Sequence, residues 1–365
     1  MTRHPTSMWH PKLDPARLAV LPPVAPIDAT EVPDLADRVR GMLLGVAIGD
    51  ALGNRTESML PHEREAKHGR ITGYLPSRYA NGAPAGTPSD DTQLTFRAVE
   101  QLLADGALDP DELAFRIAND RIFGIGTATL DFCNALRTGA PWYEATQYSG
   151  GNGALMRIAP TVLPYLRAGG TGLWTDTALS TAVTHNHPLA IAGSVAWVAL
   201  LWRLLNGDLP ESAEEWLDTY LEVLRLLDAG QQYETRVLSG PLLEWRGSLS
   251  ALLDTEVRPA LARQQPVRDA ANRWYSGAYL LETVPCVLHI LGQHGHDPHH
   301  AMLVAVNDTR DNDTIAALVG AAMGAAHGTH WIPADWRDQL LGRVNGDDDG
   351  KVFTLIDEAV GRFVA

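Results

Sequence analysis

A cluster of carboxylates opens a run of uncharged residues, and this run constrains the fold more than any other part of the sequence. Asp311, Asp313 and Thr314 stand at its start, and residues 315–326 are small or apolar throughout. The run predicts a helix buried on most faces, with Asp311 as its N-cap and Asp313 and Thr314 in its first turn. Because the helix dipole favours negative charge there, capping alone explains these acids equally well.

Glycines recur every four residues in two distant segments. The first segment carries Gly41, Gly45, Gly49 and Gly53, and the second carries Gly320, Gly324 and Gly328. This spacing lines the glycines along one helical face, where another backbone can approach closely. Since glycine inside a helix costs about 1 kcal/mol relative to alanine, the stripes need a packing reason. We therefore predict two helices that are both central and tightly packed.

A second helix start combines hydroxyl and carboxylate groups. Ser89, Asp90 and Asp91 follow a loop rich in glycine and proline at residues 69–88 and precede an amphipathic helical pattern. Adjacent aspartates repel each other, and a solvated cap needs only one of them. The two helix starts together offer only hard oxygen ligands, which suit Mg²⁺ or Mn²⁺ better than zinc or copper. We predict a pair of divalent cations, which can orient a water and stabilise charge on both sides of a displacement.

Charge and cysteine content narrow the class of protein. The net charge of −15 argues against a nucleic-acid-binding surface, which needs clustered Lys and Arg. The two cysteines are expected to be buried free thiols in a reducing compartment. No N-terminal stretch resembles a signal peptide, and no apolar run near the start is long enough to span a membrane. We therefore expect a soluble cytoplasmic protein with no membrane partner.

The composition divides the chain into two parts. Residues 1–33 contain seven prolines, a density that helices and strands do not tolerate, so we predict an extended proline-rich N-terminal arm. No later run alternates as a β-strand does, and residues 34–365 are predicted to form one all-α domain. Within this domain, residues 212–263 are expected to be helical with a polar face.

A glycine-rich loop is a further candidate for ligand binding. It contains Gly151, Asn152 and Gly153 and feeds the segment with Met156 and Arg157. Backbone N–H groups in such a loop form a usable cradle for phosphate. The loop lacks the Walker and dinucleotide-binding patterns, so ordinary turn chemistry is an equally simple explanation of its glycines.

Five motifs in order make the sequence resemble the ADP-ribosylglycohydrolases, which include the dinitrogenase-reductase-activating glycohydrolase and the ADP-ribosyl-acceptor hydrolases. The motifs are residues 49–53 with Glu57, 89–92, 151–157, 184–185 and 311–314. The resemblance covers roughly residues 35–330. It implies a compact, orthogonal, all-α multi-helix bundle with a binuclear site of two Mg²⁺ or Mn²⁺ ions at its centre. It also implies hydrolysis of the bond between ribose C1″ and an acceptor side chain, most often the guanidinium of arginine.

The resemblance also implies roles for single residues. The metal ligands would be Ser89, Asp90, Asp91, Asp311, Asp313 and Thr314. The residues that hold ADP-ribose would be Gly151, Asn152, Gly153, Met156, Arg157 and His185, with Tyr275 or Tyr279 stacking on adenine. The catalytic set would be Asp90, Asp91, Glu57 and Asp313, in which Asp90 or Asp91 acts as the base and Glu57 lies beside the metals.

One departure from the family pattern leaves the acceptor open. Thr309 and Arg310 stand where the family usually has two glycines, so the acceptor could be arginine, serine or another residue. The expected partner is an ADP-ribosylated protein, bound by a monomer.

Two alternative functions remain open. A phosphatase of the haloacid-dehalogenase type would need a strand of a parallel sheet before residues 311–313. An immunity protein would neutralise an ADP-ribosylating toxin by binding it through residues 1–33, with or without hydrolase activity.

Overall fold

A computed structural model describes residues 11–77, 84–237, 242–342, 344 and 350–364, and their regular structure is helical apart from one small antiparallel sheet. The helices are α1 (Pro15–Ala19), α2 (Leu35–Gly53), α3 (Pro61–His68), α4 (Asp90–Asp105), α5 (Pro110–Ala118), α6 (Thr127–Arg137), α7 (Trp142–Ala145), α8 (Gly172–Thr184), α9 (Pro188–Leu205), α10 (Ala213–Asp228), α11 (Leu249–Leu252), α12 (Arg258–Ala262), α13 (Val267–Trp274), α14 (Leu280–His294), α15 (Pro298–Asp308), α16 (Asn312–His327), α17 (Ala334–Gln339) and α18 (Lys351–Phe363). Short 3₁₀ segments cover Asn54–Thr56, Leu155–Arg157 and Ala159–Tyr165, and a π-helical turn covers Leu253–Val257. Strands β1 (Tyr233–Glu234) and β2 (Arg246–Gly247) pair with each other. The all-α prediction is confirmed. The phosphatase alternative is wrong, because helix α15 rather than a strand precedes the acidic motif.

Helices α2 and α16 pack backbone against backbone at the centre of the molecule. A Cβ atom added to Gly45 would lie 2.1 Å from the carbonyl oxygen of Gly320. One added to Gly324 would lie 2.0 Å from the carbonyl oxygen of Gly41. Such distances leave no room for any side chain, so the prediction of two central, tightly packed helices is confirmed.

The antiparallel contact brings the end of α2 to the start of α16. A Cβ atom added to Gly53 would lie 2.4 Å from the Cα atom of Asp313. The glycine stripe therefore fixes the acidic start of α16 directly beside the last turn of α2. That turn carries Asp50.

Residues 11–33 lie on the helical domain. Leu13 and Leu21 are buried in the same hydrophobic cluster as the residues of α2 and α9. The guanidinium of Arg17 donates a hydrogen bond to the carbonyl oxygen of Leu227, at 2.8 Å. Residues 1–10 of the predicted arm fall outside the described residues, and the division of the chain at residue 33 stays a prediction.

Helix α9 is the one helix in the described part of the chain that is long and apolar enough to cross a membrane. It packs against α8 and α10, and 94% of its 18-residue apolar window is buried inside the protein. Its apolar composition is therefore explained by its place in the core.

The expectation of a helical stretch over residues 212–263 is wrong in one part. Helix α10 ends at Asp228, and Gly230 then adopts a left-handed conformation with φ 75°. Because glycine enters this region without steric penalty, the chain turns there and continues into β1.

Candidate functional site

Two overlapping groups of carboxylates lie where α2, α4 and α16 meet. One oxygen from each of Asp50, Asp91 and Asp313 lies within 4.8 Å of the other two. Glu57, Asp311 and Asp313 form a second group at the same spacing. Asp313 belongs to both groups, and all five residues except the half-buried Glu57 are buried. The structure therefore brings the two predicted helix starts together as one acidic cluster.

Asp50 caps helix α4 from outside that helix. Its carboxylate accepts hydrogen bonds from the backbone N–H groups of Ser89 at 2.8 Å and of Thr92 at 3.0 Å. It also accepts from both of their hydroxyl groups, at 2.5 Å and 2.6 Å. Ser89 is the N-cap residue, yet its side chain caps nothing in its own helix. Asp50 is not among the predicted site residues, although the motif at residues 49–53 contains it.

The carboxylate of Asp91 has one oxygen without a partner. Its Oδ2 accepts a hydrogen bond from the hydroxyl of Thr314 at 3.3 Å. Its Oδ1 is buried and accepts no hydrogen bond from the parts of the chain that the structure describes. Leaving a buried acceptor unsatisfied costs about 1–3 kcal/mol, and more when the group is charged. A cation beside Oδ1 would remove this penalty.

The acids at the start of α16 occupy the predicted positions but do not serve as caps. Asp311 is the N-cap residue, and its side chain makes no hydrogen bond to its own helix. It accepts a hydrogen bond from the side-chain amide of Asn152 instead, at 2.6 Å. Asp313 accepts one from the backbone N–H of Thr314 at 3.0 Å. The capping explanation is therefore wrong for Asp311.

Burial and mutual repulsion oppose ionisation of the cluster. Burial, followed by repulsion between neighbouring carboxylates, raises the pKa of Asp90, Asp91 and Asp313 well above the ordinary value. Burial also raises the pKa of Asp311 to about 6. A divalent cation would reverse these shifts, because an opposite charge favours the ionised form. The exclusively oxygen donor set, the unpartnered Oδ1 of Asp91 and the raised pKa values all fit divalent cations.

The glycine-rich loop adjoins the acidic cluster. Gly151 pairs with Tyr279 through an antiparallel bridge. The side-chain amide of Asn152 donates one hydrogen bond to Thr283 at 3.0 Å and another to Asp311 at 2.6 Å. Asn152 therefore joins the loop to the carboxylates, and the two predicted parts of the site are continuous.

His185 lies against the glycines of this loop. A Cβ atom added to Gly153 would lie 2.9 Å from Cε1 and 3.2 Å from Nε2 of His185. Burial, followed by repulsion from Arg157 and His187, lowers the pKa of His185 to about 3. The ring is therefore neutral at physiological pH.

Two other residues predicted to hold ADP-ribose are directed elsewhere. Arg157 is 0% exposed and donates hydrogen bonds to the backbone carbonyl of Ser180 at 2.8 Å and to the hydroxyl of Thr184 at 3.0 Å. The sulfur of Met156 lies 3.9 Å from the hydroxyl oxygen of Thr314, whose single proton is also within reach of Asp91. Their contact with ADP-ribose stays a prediction. The observed contacts of Arg157 are with the end of α8, and that of Met156 is with the start of α16.

A strained turn between α13 and α14 packs against the residues that lead into α16. Tyr275 and Ser276 both have positive φ, at 74° and 45°, which is uncommon outside glycine. The hydroxyl and carbonyl oxygens of Ser276 accept hydrogen bonds from the backbone N–H groups of Arg310 at 3.1 Å and Asp311 at 2.9 Å. The guanidinium of Arg310 lies 4.0 Å from the ring centre of Tyr275. Strain of this kind concentrates at functional sites.

Tyr279 does not stack on another aromatic ring among the described residues. The guanidinium of Arg236 covers its ring at 4.4 Å from the ring centre. A cation therefore covers each of the two tyrosines predicted to stack on adenine, so stacking on either of them stays a prediction.

Comparisons with known proteins give the family and the fold of the chain. The sequence model of the ADP-ribosylglycohydrolase family matches residues 31–363, which include every predicted site residue. The ADP-ribosylarginine hydrolase Tri1 of Pseudomonas putida (strain GB-1) is 28% identical over 83% of this chain and 74% of its own length. The ADP-ribosyl-(dinitrogen reductase) glycohydrolase of Rhodospirillum rubrum is 27% identical over 89% of this chain and 97% of its own length. The mouse (Mus musculus) ADP-ribosylhydrolase ARH3 is 26% identical over 84% of this chain and 88% of its own length. Among solved structures, an ADP-ribosylglycohydrolase-related protein complex superposes with a TM-score of 0.60 at 22% identity, covering 91% of this chain and 98% of that one, so the fold is shared.

Proposed function

We propose, because the chain belongs to the ADP-ribosylglycohydrolase family, that it removes ADP-ribose from modified arginine side chains of proteins. The observation that carries the proposal is the continuity of the acidic cluster with the glycine-rich loop through Asn152. A loop that cradles phosphate beside a carboxylate site matches a substrate with a pyrophosphate at one end and a scissile sugar bond at the other. Relatives named as ADP-ribosylarginine hydrolases support the choice of acceptor.

Two divalent cations, Mg²⁺ or Mn²⁺, belong to the proposal. The residues that would hold them are Ser89, Asp90, Asp91, Asp311, Asp313 and Thr314. When bound, the cations would polarise the ribose hydroxyls and stabilise negative charge that develops in the displacement. Asp50 fixes the start of α4, which carries three of these ligands. Its carboxylate accepts hydrogen bonds from the backbone N–H groups of Ser89 and Thr92.

The chain's own carboxylates would handle the proton. Asp90 or Asp91 takes a proton from the attacking water, whose oxygen forms the new bond to ribose C1″. The bond from C1″ to the guanidine nitrogen breaks, and the proton held by the carboxylate passes to the leaving guanidine, which restores the base. Glu57 is the one half-buried member of the two carboxylate groups, and we propose that it is the member in reach of the incoming substrate.

The test is a direct assay of released ADP-ribose. The purified protein is incubated with arginine-, serine- and O-acetyl-linked ADP-ribose, with and without Mg²⁺ or Mn²⁺. We expect release from the arginine-linked substrate, with loss of activity on chelation. Release from the serine-linked substrate alone would contradict the proposed acceptor.

A matched pair of variants separates the cluster from its surroundings. Asp313→Asn should abolish turnover, since Asp313 belongs to both carboxylate groups. Asp308→Asn is the control, because Asp308 lies in the same stretch but pairs with Arg268 at 2.7 Å. Activity that survives chelation and Asp313→Asn would overturn the assignment of the site.

A further inference from the structure

Arg157 is a buried cation that has no carboxylate counter-ion among the described residues. It is 0% exposed, and no carboxylate oxygen of the described chain lies within 4.0 Å of its guanidinium. Burial lowers its pKa to about 10, so the group is still charged at neutral pH. Burying an unpaired charge is costly, and hydrogen bonds to Ser180 and Thr184 offset only part of this cost, because Nε has no partner among the described residues.

The hydroxyl of Thr184 connects Arg157 to His185. Thr184 is 0% exposed, and its oxygen lies 3.0 Å from a guanidinium nitrogen and 2.9 Å from Nδ1 of the histidine ring. Arginine only donates, so it occupies one lone pair of the hydroxyl oxygen. The hydroxyl proton must then point to another acceptor. Nδ1 of His185 is the acceptor in contact.

We propose that Arg157 acts through Thr184 to fix His185 as the neutral tautomer with its proton on Nε2. Nδ1 is occupied as an acceptor, so the one proton of the neutral ring resides on the other nitrogen. Arg157 is a positioning residue in this arrangement, since the ring that it orients, and not its own guanidinium, borders the loop.

The Nε2–H group faces the glycine-rich loop. Nε2 lies 3.5 Å from the place where a Cβ atom would stand on Gly151 and 3.2 Å from the one on Gly153. It has no hydrogen-bond partner within the described ranges. His185 therefore offers a fixed donor for an oxygen acceptor of the ligand, such as a phosphate oxygen or a ribose hydroxyl. This use of the donor rests on the proposed function, whereas the tautomer does not.

Nuclear magnetic resonance of the full chain, labelled with ¹⁵N in histidine, tests the tautomer. His185→Gln identifies the signals of His185 among the 13 histidines. In the unmodified protein we expect Nε2 to carry the proton. Thr184→Ser retains the hydroxyl and should keep this state, whereas Thr184→Val removes it and should move the proton to Nδ1 or mix the two forms. A proton on Nδ1 in the unmodified protein, or an unchanged state in Thr184→Val, would overturn the inference. The measurement on the unmodified protein decides even if the valine variant does not fold.

Calorimetric titration with ADP-ribose tests the use of the donor. Loss of one hydrogen bond of about 1–1.5 kcal/mol corresponds to roughly tenfold weaker binding in Thr184→Val, with Thr184→Ser close to the unmodified protein. Equal affinity in all three proteins would refute the donor role. If ADP-ribose binds to none of them, the proposed function fails while the tautomer result still stands.

Discussion

Asp50 and Asp91 have different tasks although both border the start of helix α4. Asp50 satisfies the backbone donors of that helix, which are exposed at every helix N-terminus. Asp91 is left with an oxygen that has no partner among the described residues. A carboxylate used by the protein is structural, and one that the protein leaves unsatisfied is available to a cation.

Asp91→Asn should remove the stabilisation that a divalent cation gives. Without a cation, this variant should melt no lower than the unmodified protein, because it removes a carboxylate that is buried and repelled by its neighbours. Mg²⁺ at 100 times its Kd should stabilise the unmodified protein by about 2.7 kcal/mol. Thermal melting with and without Mg²⁺ measures both effects, and a full Mg²⁺ shift in Asp91→Asn would contradict the assignment.

His289 should make stability depend on pH on the acid side. Burial lowers its pKa to about 4, below the ordinary value of 6.5, and its Nδ1 is buried without a described partner. The folded state therefore binds this proton less readily than the unfolded state does. The folding stability that depends on a neutral His289 is therefore fully present above about pH 6.5 and is lost as the pH falls towards 4.

Melting curves of His289→Gln test this dependence. Between pH 8 and pH 4, the melting temperature of the variant should fall less steeply than that of the unmodified protein. The comparison is made in cation-free buffer, so that the carboxylate cluster contributes equally to both. Parallel slopes would show that His289 does not titrate as expected.

Among the helices, the close packing of α2 against α16 can be predicted from the sequence. The meeting of the starts of α4 and α16 can be predicted only in part. A glycine at every fourth position is a local pattern that needs nothing beyond helical geometry to interpret. The hydrogen bond from Ser89 to Asp50 joins two residues that are 39 positions apart in the chain. The spacing of residues within a helix does not predict such a long-range contact. For this reason Asp91 is among the predicted site residues and Asp50 is not.

Gly45→Ala should strongly destabilise the protein. Its Cβ atom would stand 2.1 Å from a backbone oxygen of α16, and backbone cannot rotate away as a side chain can. Overpacking usually costs about 1–3 kcal/mol, and this case belongs at the upper end or beyond. The control is Gly361→Ala in α18, where an added Cβ atom meets nothing within 4 Å and helix propensity favours alanine. Chemical denaturation of both variants measures the difference, and similar stabilities would contradict the packing argument.

Across the whole molecule, deletion of residues 1–33 should destabilise the domain. Five apolar side chains in its described part, residues 11–33, are buried, namely Leu13, Leu18, Leu21, Ile27 and Val32. Each contributes roughly 1.5–3 kcal/mol as an upper estimate. Deletion of residues 1–10 retains all five and should lower the melting temperature much less. Equal melting temperatures for the two deletions would show that the segment is dispensable.

A variant that cannot hydrolyse ADP-ribose, combined with a deletion in the N-terminal segment, separates the toxin-blocking alternative from hydrolysis. Binding a toxin through the five buried side chains of residues 11–33 would require them to leave the core, whereas binding through residues 1–10 would not. We expect that Asp313→Asn fails to protect cells that co-express an ADP-ribosylating toxin, because protection depends on turnover. Cells protected by this variant, together with loss of protection on deletion of residues 1–10, would favour blocking.

The limits of prediction differ between the parts of the site. Residue types and their order were enough to predict the acidic cluster, since carboxylates at two buried helix starts have few other uses. The support given by Arg157 could not be predicted, because its partners Ser180 and Thr184 lie in another helix. The turn after α10 was also missed, although Gly230 was its signal.

The contact between α2 and α16 has a consequence for how such a protein can diverge. Helices that pack backbone against backbone along a glycine stripe cannot be re-spaced by exchanging one side chain for another. We therefore expect the distance between the end of α2 and the start of α16 to stay fixed as the sequence changes. Substitutions in these two helices should occur at positions that face away from their contact. We expect new acceptor preferences to arise in the surrounding turns, such as the two that bring Tyr275 and Arg310 into contact.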